Sequence, residues 1–142
     1  MNLSDYLWIL LPGMIASIIT LLLPMDMVWY QGLNKPSYTP PPIVFSVVWP
    51  ILYLSIGIVL FYNKDLSAKK ILFVNLFLNY LWVIVFNYLK DLQMSLVISI
   101  LMLLTLMYYF SHDWQSMSIL LIPYAVWLTY ATYLNYQFYI MN

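Results

Sequence analysis

The stretch Ile43–Tyr62, IVFSVVWPILYLSIGIVLFY, decides the fold. It carries no charged residue, and it matches the ~20 residues a helix needs to cross ~30 Å of hydrocarbon. Pro40, Pro41 and Pro42 precede it, and Asn63, Lys64 and Asp65 follow it. Outward from it the same pattern recurs. The charged residues are Asp5, Asp26, Lys35, Lys64, Asp65, Lys69, Lys70, Lys90, Asp91 and Asp113, and they divide the chain into five apolar runs at residues 6–25, 43–62, 71–89, 94–110 and 116–139. Inside a bilayer every backbone N–H and C=O must be paired within the segment, so each run is expected to be a helix. The expected architecture is an all-α integral membrane protein, a single domain over residues 1–142 built as a five-helix transmembrane bundle.

Composition agrees. The chain of 142 residues is 65% hydrophobic and 7% charged, where a soluble domain carries about 25% charged residues. The five lysines are balanced by five aspartates, with one histidine and no cysteine. No basic stripe is available for a nucleic acid, and thiol chemistry and disulfides are excluded. No carboxylate pair, nucleophile–base pair or glycine-rich phosphate loop occurs, and no metal site is expected. His112 beside Asp113 reads as a solvated loop residue, since no second histidine or thiolate accompanies it. Ion-coupled pumping normally places an ionisable residue inside a span, and none lies there.

Five spans put the termini on opposite sides of a multi-pass membrane protein, expected in the cell membrane. Lys64, Lys69 and Lys70 lie on the side of the N-terminus, Lys35 and Lys90 on the other, so the lysine balance favours a cytoplasmic N-terminus. The first run lacks the basic start and cleavage site of a signal peptide. A face of small residues, Gly13, Ala16 and Ser17, permits close approach of another helix.

The longest connection, residues 26–42, reads DMVWYQGLNKPSYTPPP and contains four of the eight prolines, so it cannot be a regular helix throughout. Trp29, Tyr30 and Tyr38 make it either an interfacial aromatic belt or a lid over a cavity. Three spans present aromatic–amide faces at helical spacing: Phe45, Trp49 and Tyr53 in the second; Asn75, Asn79, Trp82 and Phe86 in the third; Tyr124, Trp127, Ala131 and Asn135 in the fifth. Amides in hydrocarbon need partners and should turn into the bundle. Such faces serve either as helix packing or as the walls of an apolar, uncharged cavity suited to a flat hydrophobic molecule.

The string W-Y-x-x-L-x-K-P-x-x-x-P-P from Trp29 to Pro41 resembles the first-loop signature of the translocator protein family, also called TspO, tryptophan-rich sensory proteins or peripheral-type benzodiazepine receptor. Trp49 with Leu52–Tyr53, Asn79 with Leu81–Trp82 and Phe86, and PYAVWLTYATYLNY from Pro123 to Tyr136 continue the resemblance along the chain, which looks like a bacterial-type member. The resemblance implies a homodimeric five-helix bundle that is a receptor or sensor for tetrapyrroles such as protoporphyrin IX, without a required cofactor. Carried over by position, the ligand-binding residues are Tyr30, Pro40, Phe45, Trp49, Tyr53, Asn79, Trp82, Trp127 and Ala131. It also implies two alternatives: light-dependent porphyrin degradation using Trp29 and Trp127 as catalytic residues, or facilitative carriage of porphyrins or sterols. The family's sterol-recognition pattern needs a basic residue after its tyrosine, and the tail LNYQFYIMN has none after Tyr136.

Overall fold

The computed structural model describes residues 2–142. Among them there is no strand. The elements are α1 (Leu3–Leu22), α2 (Met27–Gly32), α3 (Pro42–Tyr62), α4 (Leu66–Ile84, continued by a π turn over Val85–Leu89), α5 (Leu92–His112) and α6 (Ile122–Met141), the last entered through a 3-10 segment at Ser116–Leu121. All but the short α2 are long and apolar enough to cross a membrane, which gives the expected five spans.

The helices extend past the apolar runs where polar residues act as caps. The backbone N–H of Asn2 donates to Asp5 Oδ2 at 2.7 Å, so α1 starts ahead of Tyr6. Asp65 accepts from the N–H of Ser67 at 2.9 Å, and α4 therefore begins before Ile71, with Lys69 and Lys70 in its first turns. Asp91 accepts from the N–H of Met94 at 2.8 Å, lengthening α5 at its start. At the other end α5 continues through His112, which pairs with Asp65 at 3.2 Å instead of standing free in a loop. In each case the carboxylate satisfies N–H groups that the first helical turn leaves open.

Around the bundle α1 packs on α3 and on α4, α4 on α5, and α5 on α6; the 3-10 segment before α6 closes the ring against α3. The α1–α3 crossing brings backbone against backbone. A Cβ built on Gly57 would lie 1.8 Å from the carbonyl oxygen of Ile9, and one on Gly13 would meet Tyr53 Cβ at 3.5 Å. Ala16 is buried in the same core. The helix that the small-residue face of α1 lets approach is thus α3, inside the bundle; only Ser17 of that set is exposed.

At the end away from residues 26–42, a polar clasp joins two connections. Asn63 Nδ2 donates to Asp113 Oδ2 at 2.7 Å and to Tyr109 Oη at 3.2 Å. Asn63 Oδ1 accepts from the N–H of Asp65 at 2.8 Å, and Ser118 Oγ donates to the carbonyl of Asp113 at 3.1 Å.

Candidate ligand-binding site

The three aromatic–amide faces do meet. Tyr53 Oη on α3 donates to Asn79 Oδ1 on α4. Tyr124 Oη on α6 donates to Asn75 Oδ1 at 2.6 Å and accepts from Asn79 Nδ2 at 3.5 Å. Trp82 Nε1 donates to Asn135 Oδ1 at 3.0 Å. All three amides are buried, and the donors of two reach α5: Asn75 Nδ2 meets Met102 O and Thr105 Oγ1, each at 2.8 Å, while Asn135 Nδ2 meets Ser95 Oγ at 3.1 Å. The fourth span, which offered no aromatic–amide face in the sequence, therefore supplies the acceptors that hold Asn75 and Asn135 in place.

Ring contacts knit the same region. Trp49 lies 5.7 Å from Tyr53 and 6.4 Å from Tyr124, centroid to centroid. Phe45 meets Trp127 edge-on at 5.5 Å. Trp82 stacks on Phe86 at 4.7 Å. Trp82 also packs against both apolar clusters: the main core, flanked by Trp49 and Trp127, and a smaller one of Tyr30, Phe86 and Phe138, flanked by Trp29. Trp29 and Trp127, the pair carried over for porphyrin degradation, thus stand in different clusters with Trp82 against both. Ala131 and Pro40 are half-buried, on α6 and in the connection respectively.

The segment 26–42 folds back over the ends of α4 and α6. Asp26 Oδ1 accepts from the N–H groups of Val28 and Trp29 at 3.0 Å each, which starts α2. Its other oxygen pairs with Lys90 at 2.7 Å. Lys90 reaches that position because the π turn ends in a left-handed residue, φ 56°, at Lys90 itself. The ammonium of Lys90, and then the N–H of Trp29, hold the Asp26 carboxyl below the ordinary value of 3.8. A lowered carboxyl pKa stabilises the folded state above the ordinary value and fades as pH falls below it, so the Asp26–Lys90 latch is complete at neutral pH.

Lys35 Nζ closes the end of α2 on the carbonyls of Tyr30 at 2.6 Å and Leu33 at 2.9 Å. Tyr30 meets Phe138 edge-on at 6.2 Å, and Trp29 meets Phe86 at 5.4 Å. Asn34 and Asn142 exchange backbone–amide hydrogen bonds at 2.9 and 3.0 Å. Tyr38 stacks on Tyr133 with hydroxyls 3.2 Å apart, and Tyr130 Oη donates to the carbonyl of Tyr38 at 3.0 Å. Phe138, Tyr130 and Tyr133 escaped the sequence reading. Phe138 had a signal, since it continues the Trp127–Ala131–Asn135 face by three residues. Tyr130 and Tyr133 had none, because their partner lies in an irregular segment.

Two buried polar atoms among the described residues lack a hydrogen-bond partner: Trp127 Nε1 and Asn87 Oδ1. No group of three metal-ligating side chains occurs among those residues. Where the three faces meet, the bundle is thus aromatic and uncharged, with the amides of Asn75, Asn79 and Asn135 and the phenols of Tyr53 and Tyr124 already paired and the buried Trp127 N–H left over. The TspO/MBR family model matches residues 8–141. The chain belongs to the TspO/MBR family. Its similarity to individual TspO proteins runs over most of their length. It is 37% identical over 124 residues to tryptophan-rich protein TspO of Archaeoglobus fulgidus, covering 80% of each chain. It is 33% identical over 132 residues to tryptophan-rich protein TspO of Bacillus cereus, covering 87% of this chain and 86% of the relative. A tryptophan-rich sensory protein of Cereibacter sphaeroides is 33% identical over 118 residues, covering 77% and 73% respectively. The TspO/MBR match covers the segment 26–42 and reaches all five of the helices long and apolar enough to cross a membrane, so the chain is a multi-pass membrane protein of that family.

Proposed function

We propose that the chain is a membrane sensor that binds tetrapyrroles, with protoporphyrin IX as the representative ligand, between α3, α4 and α6 beneath residues 26–42. The observation that carries this reading is the convergence of Trp49, Trp82 and Trp127 with the paired amides of Asn79 and Asn135 in an uncharged part of the bundle. Flat aromatic ligands gain from offset or edge-on ring contacts, and a desolvated hydrogen bond fixes their orientation. The buried indole N–H of Trp127 is a donor awaiting an acceptor, and a porphyrin's carboxylates provide acceptors. The sensing role is supported by the name of the Cereibacter sphaeroides relative.

Titrating protoporphyrin IX against the purified protein should quench tryptophan fluorescence with saturation. Trp49→Ala, Asn79→Ala and Trp127→Ala should each weaken binding by about tenfold or more, the loss of a buried ring or amide contact being worth about 1.4 kcal/mol or more. Unchanged affinity in all three rules the site out.

A further inference from the structure

We infer that the ligand enters this site sideways from the lipid, through the seam between α3 and α6, and not beneath residues 26–42 from water. The inference rests on the ligand-site reading above and adds the route.

A groove of about 610 Å³ runs along the outside of the bundle between these two helices, lined by Val48, Ile51, Pro123, Val126, Trp127 and Tyr130 among others. None of its lining residues is charged. Its outer rim is lipid-facing: Ile51 and Val126 are 58% and 66% exposed. Trp127 is shared between groove and site. It lines the groove, while its ring meets Phe45 edge-on at 5.5 Å and packs against the main core. Its unpartnered N–H is buried at that boundary. A molecule dissolved in hydrocarbon therefore meets Trp127 first, and reaches Trp49 and Trp82 by parting the Phe45–Trp127 and Trp49–Tyr124 ring contacts.

The wall that must move is built to move. Pro50 lies in the middle of α3. It has no N–H for the carbonyl of Ser46, so the helix loses a rung between the half that carries Phe45 and Trp49 and the rest. α3 is anchored to α1 through Gly57 and to the 3-10 segment before α6, both on the far side of Pro50 from Phe45.

The water-facing route is closed by contrast. The segment 26–42 is tied to α6 by the Asn34–Asn142 exchange and by Tyr38 with Tyr130 and Tyr133, and to the α4–α5 turn by Asp26–Lys90. Entry that way breaks these contacts together. Entry through the seam parts the ring contacts Phe45–Trp127 and Trp49–Tyr124, and no ion pair, in a medium where the ligand already resides.

The test uses the full chain in phosphatidylcholine vesicles, with protoporphyrin IX added in the bilayer and tryptophan quenching followed by stopped flow. Narrowing the groove with Ile51→Phe and Val126→Phe together should slow both association and dissociation about tenfold and leave the equilibrium affinity unchanged, since a gate alters the barrier and not the end states. Val126→Ala, which widens the groove, should accelerate both. Loosening the covering segment with Tyr133→Phe and Asn142→Ala together should leave the rates within about twofold. Rates that respond to the loosened segment and ignore both groove variants overturn the inference while leaving the site intact. Absence of saturable quenching in the unaltered protein overturns the site itself, and the route with it.

Discussion

Tyr124 shows at the scale of one residue how the bundle is held. Its ring is fully buried, and its hydroxyl gives its proton to Asn75 while accepting from Asn79. Asn75 in turn donates to α5, so one phenol oxygen couples α6 to α4 and, through the amide, to α5. Hydrogen bonds between membrane helices contribute about 0.6 kcal/mol on average. Deleting a single partner costs more, because it strands the other in hydrocarbon, about 1–3 kcal/mol. Tyr124→Phe should therefore destabilise the protein by about 1–2 kcal/mol in reversible detergent unfolding, with Asn75 Oδ1 left unpaired. Adding Asn75→Leu to it should recover part of the loss, since the carbonyl that Tyr124→Phe strands is then gone. A double variant weaker than the single one would mean that the amide's bonds to α5 outweigh the stranded carbonyl.

Between elements, the α1–α3 contact depends on one missing methyl group. Ile9 O sits where a Gly57 Cβ would be, at 1.8 Å, and this neighbour is backbone and cannot swing aside. Gly57→Ala must push α1 off α3, at a cost of about 1–3 kcal/mol for overpacking. The expected result is a lower unfolding midpoint, with thermal unfolding followed by circular dichroism as the measurement; an unchanged midpoint would mean that the two helices slide apart freely. Nothing in the sequence marked Gly57, because close approach is a property of two helices and only one carries the glycine. The spans themselves were legible, since charges are excluded from hydrocarbon and so punctuate the chain. Their ends were less so: Asp5, Asp65 and Asp91 read as boundaries, yet each caps a helix that begins beside it or just before it. The aromatic–amide faces were legible from spacing, because a helix fixes which residues share a side. Their partners on α5 were not, since Ser95 and Thr105 are unremarkable hydroxyls until another helix brings an amide to them.

Across the whole molecule the two ends are built differently. At the end bearing residues 26–42, ring stacking, an ion pair and exposed amide contacts hold a separate segment in place. At the opposite end the Asn63 amide is buried and ties the α3–α4 connection to Tyr109 and Asp113 through two hydrogen bonds, while its oxygen accepts from the N–H of Asp65. Because that clasp closes the ring at the end opposite residues 26–42, and none of its hydrogen bonds involves Trp49, Trp82 or Trp127, stability and ligand binding should separate there. Asn63→Ala removes the amide and takes the partner from Asp113 Oδ2 and from the N–H of Asp65, which predicts a loss of about 1–3 kcal/mol in unfolding free energy. The same variant should bind protoporphyrin IX with unaltered affinity by tryptophan quenching, as long as it is assayed below its own unfolding midpoint. A parallel drop in affinity would show that closing the far end of the ring sets the spacing of α3 and α6 at the site, and that the bundle responds as one rigid body instead of as a fixed base with an adjustable upper half.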